Sequence, residues 1–124
     1  MNCYWLLNHD CTDEQEMELK ERFGVESTIS PSLDFRSVWC SLPCGCEVDR
    51  EIIRPWIEAI NPPDIAVVQG DSTYAFCLVD ALMAKGVRVF ASTTERIASE
   101  RRDGKETIIT RLFRHASFRE YIRY

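Results

Sequence analysis

The chain has 124 residues, 45% hydrophobic and 28% charged, with a formal net charge of −5. That length suits one domain in which scaffold and site share a core, and the balance is that of a folded protein, so a multidomain enzyme and a low-complexity chain are excluded. No apolar run approaches the roughly 18 residues a spanning helix needs, and Met1-Asn2-Cys3-Tyr4-Trp5-Leu6-Leu7 lacks the basic flank of a signal segment, so a cytoplasmic protein with no membrane partner is expected.

Cys3 to Leu7 is an apolar run with aromatics that Asn8-His9-Asp10 ends, which predicts a buried first strand followed by a turn. Thr12-Asp13-Glu14-Gln15 has the form of a capping box, in which Thr12 bonds an exposed amide and Gln15 reaches back, so a helix starts there. Met17, Leu19 and Phe23 give it an apolar side, Gly24 is its C-cap, and a short strand over residues 26–29 follows, interrupted by Pro31. Leu33, Phe35, Val38, Trp39 and Leu42 predict a short helix broken by Pro43 and Gly45.

Val48, Ile52, Ile53, Trp56, Ile57 and Ile60 recur at a spacing that only a helix places on one face, with Asp49 available as N-cap. Pro55 either bends that helix or occupies its first turn. Residues 64–69 read as a strand buried on both faces of a parallel sheet, and Gly70-Asp71-Ser72-Thr73 turns it into a helix whose inner face is Ala75, Leu78, Val79, Leu82 and Met83. Gly86 caps that helix and residues 87–91 form the next strand. Residues 94–101 and 105–113 flank Asp103-Gly104, a tight-hairpin dipeptide. The expected fold is a single α/β domain over residues 1–124: a Rossmann-like, mostly parallel sheet with helices on both faces and a C-terminal β-hairpin as an appendage.

Charge is unevenly placed. Residues 1–87 carry 6 Lys/Arg against 15 Asp/Glu and residues 88–124 carry 9 against 5, so the two parts hold −9 and +4. The basic part either offers phosphates a positive surface or lies against its own acidic body. Of six cysteines, Cys3 and Cys77 sit in apolar patterns, and Cys40, Cys44 and Cys46 lack the paired knuckles of a structural zinc site, so they read as incidental thiols. No resident metal and no cofactor are expected.

Ligands of open parallel sheets bind beyond the carboxyl ends of the strands. That rule selects Asn8-His9, Gln69-Gly70-Asp71-Ser72-Thr73, and Ser92-Thr93-Thr94 as a loop after the fourth strand. Gly70 would allow close approach of a ligand, with phosphate or ribose at the following helix N-terminus; one glycine without lysine supports neither a dinucleotide nor a Walker site. Asp71 is a ribose ligand, a base or simply an N-cap, and His9 a donor or a turn residue. Arg111 to Tyr121 interleaves cations and aromatics around His115, a pattern able to clamp phosphate and stack bases, or else to pack the tail onto the sheet. No serine-histidine-acid order or metallohydrolase motif is present.

Four segments together resemble one family. Leu6-Leu7-Asn8-His9, Val67-Val68-Gln69-Gly70-Asp71, Ala91-Ser92-Thr93-Thr94-Glu95-Arg96 (Ser92 being an extra residue) and Phe113-Arg114-His115-x-x-Phe118-Arg119-x-Tyr121 are similar to the small CRISPR-associated ring nucleases of the Csx series, most closely the Csx-twenty group. The resemblance implies a CARF-like homodimer around cyclic tetra-adenylate, the messenger of type III CRISPR complexes, and no stable binding of long nucleic acid. It implies metal-independent attack of a ribose 2′-OH on its neighbouring phosphate, giving linear products with a 2′,3′-cyclic phosphate. His115, Arg119 and Arg114 are then the expected catalytic residues. Asn8, His9, Gln69, Gly70, Asp71, Ser72, Thr73, Thr93, Thr94 and Arg96 are the expected ligand contacts. A protein that only sequesters the messenger, or a structural subunit of a CRISPR complex, are the alternatives.

Overall fold

A computed structural model describes residues 1–124 apart from the side chain of Phe113, so the stacking role open to that residue lies outside the described residues. The elements are β1 (Asn2–Leu6), α1 (Asp13–Phe23), β2 (Ser27–Ile29), α2 (Leu33–Cys40), α3 (Arg50–Ala59), β3 (Ile65–Val68), α4 (Ser72–Ala84), β4 (Arg88–Asp103) and β5 (Glu106–Glu120). They form an α/β protein with four helices and a mixed five-stranded sheet of order β2-β1-β3-β4-β5. β1 runs parallel to β2 and β3, and β3 parallel to β4; β5 returns antiparallel to β4. Among the described residues no helix is long and apolar enough to cross a membrane.

The local signals act as the chemistry of the residues requires. The Thr12 side chain accepts from the Gln15 amide while the Gln15 side chain accepts from the Thr12 amide, and Gly24 closes α1 at φ 71°. Pro55 stands inside α3, five residues after its start, so the first-turn alternative does not apply. All four residues of β3 are buried, as a central strand covered on both faces demands.

The pleat sorts the core into two clusters. Cys3, Trp5, Ile65, Val67, Phe90 and Phe118 face α1 through Leu19. Leu6, Ala66, Val68 and Val89 face the other side, where α2, α3 and α4 contribute Trp39, Ile53, Leu78 and Leu82. Helices therefore cover both faces, one on the first and three on the second. Burial pushes the Cys3 thiol up to about 12, keeping it in its inert form.

Two expectations need correction. Ser92-Thr93-Thr94 is not a loop: β4 runs without a break from Arg88 to Asp103, so the hairpin is the prolongation of a sheet strand and not a separate appendage. Its turn is also shifted by one residue. Asp103 pairs with Glu106, leaving Gly104-Lys105 as the loop, with Gly104 at φ 64° in the first central position that a II′ turn gives to glycine. β3 pairs only with residues 88–90 of β4, so farther out the ribbon is exposed on both faces and loses the alternation that marks a half-buried strand.

Candidate functional site

Two cavities meet the strand ends. One, of about 550 Å³, lies over the carboxyl ends of β1 and β3 beside the first turn of α1; its lining includes His9, Gln15, Gln69, Ser92, Thr94, Arg114 and His115. The other, of about 770 Å³, lies between α4 and the C-terminal tail, where Phe76, Val79, Met83, Tyr121, Ile122 and Tyr124 make it mostly apolar. Both volumes are those of small-ligand sites, and Gln69 is common to both. The smaller cavity is the candidate, because its wall carries convergent hydrogen-bonding groups beside Arg114, whereas the arginine of the larger one, Arg123, is paired with Asp80.

A β-bulge builds its centre. Thr93 pairs with Ser117 but Thr94 pairs with His115, so Ala116 is left without a partner and the pleat of β5 changes phase there. His115 consequently lies on the same face as Phe118, which an unbroken strand would forbid for residues three apart. The Thr93 hydroxyl closes the gap, donating to the Ser117 carbonyl at 2.7 Å and accepting from its amide at 3.2 Å. On this face the His115 side chain is only 6% exposed.

Both of its ring nitrogens are engaged. Nδ1 lies 2.7 Å from Ser92 Oγ and Nε2 lies 2.8 Å from Glu18 Oε1. The other oxygen of Glu18 accepts the Phe118 amide at 2.9 Å and an Arg22 guanidinium N–H at 2.8 Å, while Arg22 also donates to the Phe118 carbonyl. Two side chains of α1 thus occupy the amide and carbonyl of Phe118 on the edge strand β5. Partial burial by itself raises the Glu18 carboxyl. The Phe118 amide, His115 and Arg22 together outweigh burial and hold it below the usual carboxylate range.

Ser92 is fixed from two more sides. Gln69 receives the Ser92 amide on Oε1 at 2.9 Å and donates Nε2 to its carbonyl at 3.1 Å, extending the β3–β4 ladder past the end of β3. Gln15 donates Nε2 to Ser92 Oγ at 3.1 Å. The capping box determines which way that amide lies, because Oε1 is taken by the Thr12 amide.

Of the residues expected to form the site, His9, Gln69, Thr94, Arg114 and His115 meet at this cavity. His9 also serves the turn: its ring Nδ1 donates to the Asp10 carbonyl and its own carbonyl receives Trp5 Nε1. Gly70 and Ser72 border the apolar cavity instead. A Cβ on Gly70 would stand 2.6 Å from Trp39 Nε1, which donates to the Gln69 carbonyl, so packing against an indole accounts for the glycine. Asp71 caps α4 through the Thr73 and Tyr74 amides, and the Thr73 hydroxyl, followed by the Tyr74 amide, holds its carboxyl below the usual range. Asp71 and Thr73 border the loop bearing Cys44 and Cys46.

The other expected residues lie apart. Asn8 is exposed and, among the described residues, outside the lining of both cavities. Arg96 is farther out on the hairpin, in a shallow groove with Ser99 and Glu100. Arg119 pairs with Ala91 and alternates with Phe118, so it belongs to the face opposite His115. Tyr121 is half-buried, its hydroxyl donating to the Val68 carbonyl at 2.8 Å, and burial pushes the phenol up.

Glu18 is an addition that the sequence did not single out, while Gln15 was read only as part of a helix cap and Ser92 only as part of the strand-end segment Ser92-Thr93-Thr94. Gln15 is spoken for locally by the capping box. Glu18 is one of four acidic residues of α1's first six and lies 97 positions from His115, so neither carries a local mark of a shared cluster.

No curated protein and no solved structure matches the chain. One family model does match, over residues 1–119, and by that match the chain belongs to the Uncharacterized protein MJ1673 family.

Proposed function

We propose that this protein is a ring nuclease: a Rossmann-like, CARF-like domain that pairs as a cytoplasmic homodimer, binds cyclic tetra-adenylate and opens it without a metal ion. In the reaction a ribose 2′-OH attacks the adjacent phosphorus, the P–O5′ bond breaks, and a linear product ending in a 2′,3′-cyclic phosphate leaves. Such a step needs in-line placement of the attacking oxygen and stabilisation of extra negative charge more than it needs a strong nucleophile. One observation carries the reading: Arg114, His115, Gln69 and Thr94 converge on a single polar cavity at the carboxyl ends of parallel strands. Arg114 supplies charge to the phosphate, Gln69 and Thr94 supply hydrogen bonds to ribose or base, and His115 supplies the basic end of a hydrogen-bonded chain. A cyclic tetranucleotide is larger than one such cavity, and two-fold pairing would present two.

A second reading, sequestration without cleavage, is favoured by the engagement of both His115 nitrogens, since neither is free to meet a substrate directly. Incubation of the purified protein with cyclic tetra-adenylate in EDTA, followed by chromatography and mass measurement of the products, separates the two. Linear fragments with a 2′,3′-cyclic phosphate support cleavage; tight binding with an intact ring supports sequestration; absence of binding overturns both.

A further inference from the structure

We propose that Ser92 is the group that meets the attacking 2′-hydroxyl, and that His115 and Glu18 act through it as a proton relay; this rests on the ring-opening reading above. For a neutral His115 ring the hydrogen bonds admit one consistent arrangement. Glu18 already accepts from the Phe118 amide and from Arg22, so it is an acceptor and His115 Nε2 carries the hydrogen between them. Nδ1 is then the lone-pair nitrogen and must accept from Ser92 Oγ–H. Gln15 cannot take the serine hydrogen, because its amide nitrogen, fixed by the capping box, is itself a donor to Oγ. Ser92 Oγ therefore gives its hydrogen to a base oriented by an acid, the arrangement that activates hydroxyl groups in unrelated folds.

Ser92 lines the polar cavity and its backbone is clamped by Gln69 on both sides, so the hydroxyl is held in place at the wall. His115 keeps both nitrogens occupied behind it. In the step we propose, the 2′-OH hydrogen passes to Ser92 Oγ as the serine hydrogen passes to His115 Nδ1, and the 2′-oxygen forms its bond to phosphorus. The P–O5′ bond breaks and the departing oxygen takes a proton from cavity water. The imidazolium, steadied by Glu18, passes its Nδ1 proton to Ser92 Oγ as Ser92 gives the hydrogen it took from the 2′-OH to the hydroxide so formed, which restores the water, the serine hydroxyl and the neutral ring. Ser92 is the catalytic residue of this scheme; His115 and Glu18 are positioning residues that work through it.

Single-turnover cleavage of cyclic tetra-adenylate in EDTA, measured beside affinity, tests the relay on the wild type, Ser92→Ala and Glu18→Gln. The expected result is a rate loss of about 10²–10⁴ for Ser92→Ala, the range of a lost general acid–base contribution, with affinity within about threefold of wild type. Retained affinity shows that the variant is folded. Glu18→Gln should lose rate at unchanged affinity as well. In the free protein the ¹⁵N signals of the His115 ring should report the Nε2–H tautomer, and Ser92→Ala should move the Nδ1 signal. Wild-type cleavage that Ser92→Ala leaves intact, or a His115 ring in the Nδ1–H tautomer, overturns the relay while the nuclease reading stands. A wild type that leaves the ring closed overturns the nuclease reading and the relay with it.

Discussion

The two cavities on either side of Gln69 differ in a way that volume alone hides. The larger is walled by α4 and the tail, with Phe76 74% and Ile122 83% exposed at its rim, and its charged and phenolic groups are engaged within the chain, Arg123 with Asp80 and Tyr121 with the Val68 carbonyl. The smaller is walled by the sheet face that only α1 covers, and there the side chains that leave the core are already joined in one hydrogen-bonded chain from Glu18 through His115 and Ser92 to Gln15. Where three helices pack on a sheet, apolar residues close the surface. Where one helix packs, polar residues at the strand ends remain at the wall. Joined hydrogen-bonding groups collect where helix coverage is thin.

Arginine replacement breaks the comparison most sharply. Arg114→Ala should weaken binding of cyclic tetra-adenylate about 10- to 100-fold, as for loss of a charge-assisted hydrogen bond. Arg123→Ala, in the apolar cavity, should leave the affinity near wild type, and isothermal titration reads both. Equal losses would mean that the ligand spans both cavities.

Gly70→Ala sits at the border between the two. Its Cβ meets a rigid indole and not a flexible side-chain end, so denaturant unfolding should show a loss of about 1–3 kcal/mol, the cost of an overpacked core position. Wild-type stability in the Gly70→Ala variant would show that Trp39 moves aside easily.

At Asp71 the expected effect is smaller and selective. Asp71→Asn keeps a capping oxygen and should hold the melting temperature, whereas Asp71→Ala should lower it. If both variants keep their stability yet both lose affinity for the nucleotide, Asp71 belongs to the ligand site and not only to the helix end.

The smallest effect has the most definite sign. The Glu18 carboxyl is held below its ordinary value in the folded chain, so the native state binds fewer protons than the unfolded state over that interval. Its contribution is present in full above the unfolded value and is lost as pH falls through the lower, folded value. Melting temperatures between pH 6 and pH 3 should therefore drop less steeply for Glu18→Gln than for wild type. Parallel curves would remove Glu18 from the acid response.

Much of the scaffold was legible because its signals are local. Thr12 to Gln15 and Gly24 bracket α1, the four buried residues of β3 form one apolar run, and the stripe from Val48 to Ile60 predicts α3. The hairpin arms over 94–101 and 105–113 were legible from Asp103-Gly104, but their continuity with the sheet strand was not, since polar Ser92-Thr93-Thr94 reads as a loop after an apolar run. The lining of the candidate cavity was legible in part. His9, Gln69, Thr94, Arg114 and His115 follow from the rule of strand ends and from the basic tail. The separation of Arg119 from His115 depends on the bulge at Ala116, a matter of register between two strands that neither strand reveals alone. Glu18 and Ser92 join His115 only through tertiary contact.

The most direct test of the central claim, that the polar cavity and not the larger apolar one receives the cyclic nucleotide, is a map of backbone amide shifts as cyclic tetra-adenylate is added to the ¹⁵N-labelled protein in EDTA. The largest shifts are expected at Gln15, Ser92, Thr94 and Arg114, with Phe76, Val79 and Tyr124 little changed. Shifts concentrated at Phe76, Val79 and Tyr124, with the residues around His115 unmoved, would contradict it.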